Sequence, residues 1–101
     1  MILYHVTHKS YLDSIEERGL VCLFARGKWP VVWLCREDMR AWAIRHLRNN
    51  RKWADKEMVI LKISVPKKWL RPHWDGVFLH FRDVPWKWVE QVEFLEPLPC
   101  R

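Results

Sequence analysis

The sequence predicts an α+β fold, a single small domain with a mostly antiparallel sheet of about five strands and two helices. Three observations lead there. The chain has 101 residues, half of them hydrophobic, which suffices for one core and is too short for two independent lobes. Several short apolar runs have strand spacing or the compactness of a buried strand. The elements succeed one another as strand, helix, strand, helix and then a series of strands, without repeat or linker.

Ile2-Leu3-Tyr4-His5-Val6-Thr7 alternates with period two, placing Ile2, Tyr4 and Val6 on one face and Leu3, His5 and Thr7 on the other. Ser10 offers a helix N-cap with Asp13 behind it, Leu12 and Ile15 supply an apolar stripe, and Gly19 is a natural stop. Residues 21–30, with Gly27 and Pro30, read as a loop, and Val31 to Cys35 as a buried strand. A second helix is expected from about Glu37 to Arg51. At ~100° per residue, Met39, Trp42, Ala43, His46 and Leu47 gather on one side. Arg40, Arg45, Arg48, Arg51 and Lys52 gather on the other, broken only by Ile44; such a face is either solvated surface or a binding surface. Further strands are expected at Met58 to Val65, Gly76 to Phe81 and Gln91 to Leu95, with Pro66 and Pro97 ending the first and last. Val84-Pro85-Trp86-Lys87-Trp88-Val89 reads as a turn or one helical turn.

Composition narrows the partners. Eighteen Lys and Arg against twelve Asp and Glu give a formal charge of +6, which favours nucleic acid, a phosphorylated ligand or an acidic protein surface. Eight tryptophans are too many for so small a core, since each ring buries roughly 150–250 Å². Some must lie at the surface or line a cleft. No apolar run approaches the ~20 residues of a membrane span, and the opening MILYHVTHKS has no signal-peptide layout. The three cysteines show no metal-ligand spacing, and neither do His73 and His80. A cytoplasmic, reduced protein without metal or membrane follows as the expectation.

The first strand carries the most chemistry. His5 and Thr7 share a face and can line one cleft, the imidazole donating to a ribose hydroxyl or an amide. The competing reading is a half-buried histidine bonded to backbone. No glycine-rich loop is present, which excludes a Rossmann site.

LYHVT, then SIEERGL, then VVWLC leading into a helix, then DGVFLHF and VPWKWV, resemble the catalytic lobe of the tRNA 2′-phosphotransferases, within the ADP-ribosyltransferase-like fold. That family's pattern is LYHGT, a serine-isoleucine with a later glycine-leucine, a VHLS-type strand, and NGVxLT leading to VPP. His5 and Thr7 match its first motif, with Val6 in place of glycine. Trp33 and Cys35 replace the histidine and serine of its second, and Asp75 replaces the asparagine of its third. Met1 falls at the lobe's first strand, so the expectation is a lone catalytic lobe without the RNA-binding N-terminal one.

The resemblance implies NAD as substrate. His5 and Thr7 would meet the nicotinamide ribose. Trp33 would stack on nicotinamide, unless it is a core residue. Arg26, Lys28 or Arg36 would hold the phosphates, because guanidinium pairs with them bidentately. Asp75 or Glu90, with Asp83 also nearby in sequence, would supply a carboxylate to the developing ribosyl cation. The expected function is a minimal NAD-dependent ADP-ribosyltransferase-like protein acting on a protein or nucleic-acid target. The alternative is an inactive basic module or inhibitor. Its arginine-rich helix and exposed tryptophans would dock on nucleic acid or a nucleic-acid-handling protein.

Overall fold

The computed structural model describes residues 1–22, 31–49 and 57–95. Six strands form one sheet: β1 (Ile2–His8), β2 (Val32–Cys35), β3 (Met58–Ser64), β4 (Leu70–Trp74), β5 (Val77–His80) and β6 (Val89–Leu95). Among the described residues two α-helices accompany them, α1 (Leu12–Arg18) and α2 (Arg40–Arg48). The strand order is β4-β5-β2-β1-β3-β6, and every neighbouring pair is antiparallel. The sheet thus has six strands, not the expected five. The added one is β4, whose sequence LRPHW does not alternate and contains Pro72. Proline is tolerated there because β4 is an edge and its ladder with β5 is irregular between Pro72 and Trp74.

Both helices begin later than expected. Ser10 lies in a 3₁₀ turn, Lys9–Tyr11, and makes no cap; α1 starts directly from Tyr11. Glu37–Met39 is likewise a 3₁₀ turn leading into α2. Arg26, Lys28, Arg51 and Lys52 lie outside the described residues.

Each face of the sheet buries a different side of β1, as its period requires. Leu3 joins the larger cluster with Ile15 of α1, Leu34, Val59, Leu61 and Ile63, and the 3₁₀ turn Trp86–Trp88 packs Trp86 and Trp88 against it. Tyr4, Cys35 and Ile60 form the second cluster beneath Met39, Ala43 and Ile44. Arg40 lies on that side too, four residues before Ile44. Its guanidinium sits over the Tyr4 ring at 5.1 Å and pairs with Glu93 of β6. It therefore braces α2 to the sheet, a correction to its expected place on an outward basic face. Among the described residues no helix is long and apolar enough to cross a membrane.

The thiols Cys22 and Cys35 are buried. Burial pushes both up to about 11, helped at Cys22 by Asp83, whose Oδ1 accepts the thiol at 3.0 Å and the Cys22 N–H at 2.8 Å. Asp83 is held below the usual carboxylate range chiefly by the thiol's hydrogen bond. The thiolate is the nucleophile, so native protein should be alkylated by iodoacetamide at Cys22 and Cys35 at least about tenfold more slowly than urea-unfolded protein. Peptide mass mapping reads the rates, and equal rates in the two states would contradict the burial.

Candidate functional site

Backbone pairing decides where the sheet opens. Met1 and Val65 exchange both backbone bonds, at 3.0 and 2.8 Å, and Lys9 N–H donates to Glu57 at 3.0 Å. The register between them makes Leu3–Ile63, His5–Leu61 and Thr7–Val59 the bonded pairs of β1 and β3. Tyr4, Val6 and His8 therefore direct their N–H and C=O groups the other way, toward β2. On β2, the Arg36 N–H bond to Gly76 at 2.9 Å sets the register with β5, which leaves Cys35 and Trp33 facing β1.

Tyr4 and Cys35 meet and pair, and they are the only registered pair of the two strands. Val6 and Trp33 would come next if the ladder continued. Instead the strands part, and the Trp33 carbonyl accepts a hydrogen bond from His5 Nδ1 at 2.8 Å. A cleft of about 860 Å³ opens there, within the roughly 300–1,000 Å³ of ligand sites. The consecutive residues His5, Val6, Thr7 and His8 all line it, with Val31, Val32 and Trp33 opposite. A cleft on one face of a strand would take alternate residues, so this one runs along the strand edges. Tyr11, Ser14 and Ile15 wall it on the α1 side, and His46, Leu47 and Asn49 on the α2 side.

His5 satisfies both readings of the sequence at once, being half-buried, bonded to backbone and in the cleft. A carbonyl can only accept, so Nδ1 carries the proton and the neutral ring leaves Nε2 as an acceptor. Burial lowers the pKa below 6.5, although the Trp33 carbonyl opposes the shift. In this tautomer the donor of His5 is engaged with the Trp33 carbonyl, and the other ring nitrogen has acceptor character. Thr7 is buried and lines the same cleft; Trp33 is half-buried, its ring meeting His73 edge-on at 5.2 Å.

The remaining candidates lie elsewhere. Asp75 sits in the β4–β5 turn, exposed, bonded to Arg36 at 3.0 Å; Arg36 also holds Asp38 at 3.2 Å. Neither lines the cleft. Glu90 is exposed on β6, an edge strand separated from β1 by β3. Asp83 is engaged with Cys22. Among the described residues, no carboxylate lines the cleft. Of the helix cations, Arg45 is exposed and Arg48 half-buried. Cleft residues to which the sequence assigned no site role are His8, Tyr11, Ser14 and His46, although Ser14 opens the SIEERGL motif and His46 shares the Trp42 side of the helix.

No family model matches the chain, and no curated protein matches it.

Proposed function

We propose that the chain is an NAD-dependent ADP-ribosyltransferase-like protein that uses the cleft between β1 and β2 and modifies a nucleophile on a protein or nucleic acid. The observation that carries this is the parting of the two central strands beyond the Tyr4–Cys35 pair, spanned by the bond from His5 to the Trp33 carbonyl.

The residues fit a pyridine nucleotide. His5 Nε2 is a fixed acceptor suited to a ribose hydroxyl, with the Thr7 hydroxyl on the same cleft wall. Val6 directs a backbone N–H and C=O into the gap, an arrangement complementary to a primary carboxamide, which needs one acceptor and one donor partner. That edge is backbone, so valine in place of the family's glycine keeps both groups. Trp33 borders the opposite side of the cleft, its carbonyl on the β1 side and its ring against His73. NAD supplies a cationic leaving group, whose N-glycosidic electron pair departs with nicotinamide while the acceptor bonds to the ribose carbon and releases its proton. With no cleft carboxylate among the described residues, His5 and the backbone act by orienting the sugar and the amide.

Calorimetry tests the assignment. Millimolar NAD should give a saturable heat, and nicotinamide should be released on incubation with the target. Absence of both the heat and the release overturns the proposal.

A further inference from the structure

The rings of Trp33, His73, Trp74, Trp42 and His46 form an unbroken chain, with successive centroids 5.2, 4.9, 5.7 and 5.3 Å apart. It runs from β2 through β4 to α2. Burial does not account for it: Trp86 and Trp88 pack against the larger apolar cluster, but Trp33, Trp42 and Trp74 belong to neither cluster. Trp74 is 56% exposed. A ring of this size left at the surface forgoes most of its hydrophobic stabilisation. Both ends of the chain, Trp33 and His46, line the cleft, so the rings border its mouth.

Charge selects the occupant. α2 contains arginines and no acidic residue, Arg45 is exposed one turn from Trp42, and the whole chain carries +6. Aromatic rings beside an exposed arginine suit a polyanion whose bases are unpaired, since a duplex keeps its base faces stacked internally. We propose that this aromatic chain seats single-stranded nucleic acid, with bases stacked on Trp74 and Trp42 and phosphates toward Arg45. The strand would then reach the cleft at Trp33 and His46. Its role as the modified acceptor rests on the NAD proposal above; its binding does not.

The test is fluorescence anisotropy with a labelled oligodeoxythymidylate of about 12 nucleotides, inside the roughly 4–16-nucleotide footprint of such grooves, in the absence of NAD. Binding is expected at low salt and should weaken as salt rises. Trp74→Ala, at an exposed position, should lose at least about fivefold in affinity, while Trp74→Phe retains most of it. Trp69→Ala removes an exposed tryptophan that sits against Arg82, outside the chain, and should leave affinity unchanged. A blunt duplex of equal length should bind more weakly. No binding at low salt, wild-type affinity in Trp74→Ala, or a duplex bound as tightly as the single strand each overturns the proposal. NAD binding without strand binding overturns this proposal alone; strand binding without NAD binding overturns the transferase reading alone.

Discussion

Gly19→Ala should lower the stability of the domain by about 2–5 kcal/mol, out of the roughly 5–15 kcal/mol that holds a domain of this size together. Gly19 follows α1 with φ 77° and ψ −170°, a region essentially confined to glycine. A Cβ there would lie 2.3 Å from the Val84 carbonyl oxygen and 3.1 Å from the Pro85 Cα. Both are backbone atoms and cannot rotate away. The Val84 carbonyl is also the acceptor of the Leu20 N–H at 2.8 Å, and Val84 N–H returns a bond to Leu20 at 2.9 Å. Leu20 and Val84 both belong to the larger core cluster. Relief of the clash must therefore break that bridge or displace core. Gly76→Ala is the comparison: it has a similar φ of 80°, but the obstruction at 2.5 Å is the Met39 Cγ, a side-chain atom that rotation about χ1 can displace, and not backbone. Urea unfolding should show the lower midpoint for Gly19→Ala. Equal midpoints for the two variants would show that the bridge yields easily.

The parts of the fold that could be read from the sequence are those where packing follows local period. β1, β3 and β5 alternate or form compact apolar runs, and Gly19 ends α1 where expected. β4 escaped because edge strands need no apolar alternation and its Pro72 mimics a loop. The basic helix face was only partly legible. Helical angles group arginines without weighing what lies beneath them, and Glu93, distant in sequence, draws Arg40 inward. For the cleft, period two put His5 and Thr7 on one wall but could not predict Val6 and His8 beside them. That requires knowing that β1 and β2 part after Tyr4–Cys35, a property of two strands that lie well apart in sequence. The carboxylates were assigned by proximity to late strands in sequence, whereas the sheet order carries β6 to the far edge and the β4–β5 turn holds Asp75 against Arg36.

His5→Ala should weaken NAD binding by about ten- to a hundredfold, the scale of one or two lost hydrogen bonds in a partly desolvated site, while leaving oligonucleotide binding in place. The variant also strips the Trp33 carbonyl of its donor, at a stability cost of about 1–3 kcal/mol if no water replaces it. His5→Gln separates the two effects, because its amide can still donate to the carbonyl but cannot titrate. The pH dependence has a fixed sign. Burial lowers the His5 pKa in the folded protein below 6.5, so between that lowered value and 6.5 the unfolded chain binds the extra proton. The stability contributed by neutral His5 is complete above about pH 6.5 and is lost as pH falls toward the lowered value. Protonation also converts Nε2 from acceptor to donor, so NAD affinity should fall in wild type as His5 becomes protonated and stay level in His5→Gln. Chemical denaturation and NAD titrations between pH 7.5 and pH 4.5 would read both effects, a range of about three units around the ordinary histidine value. A His5→Gln variant that retained the wild-type pH profile would place the titrating group elsewhere and remove His5 from the nucleotide site.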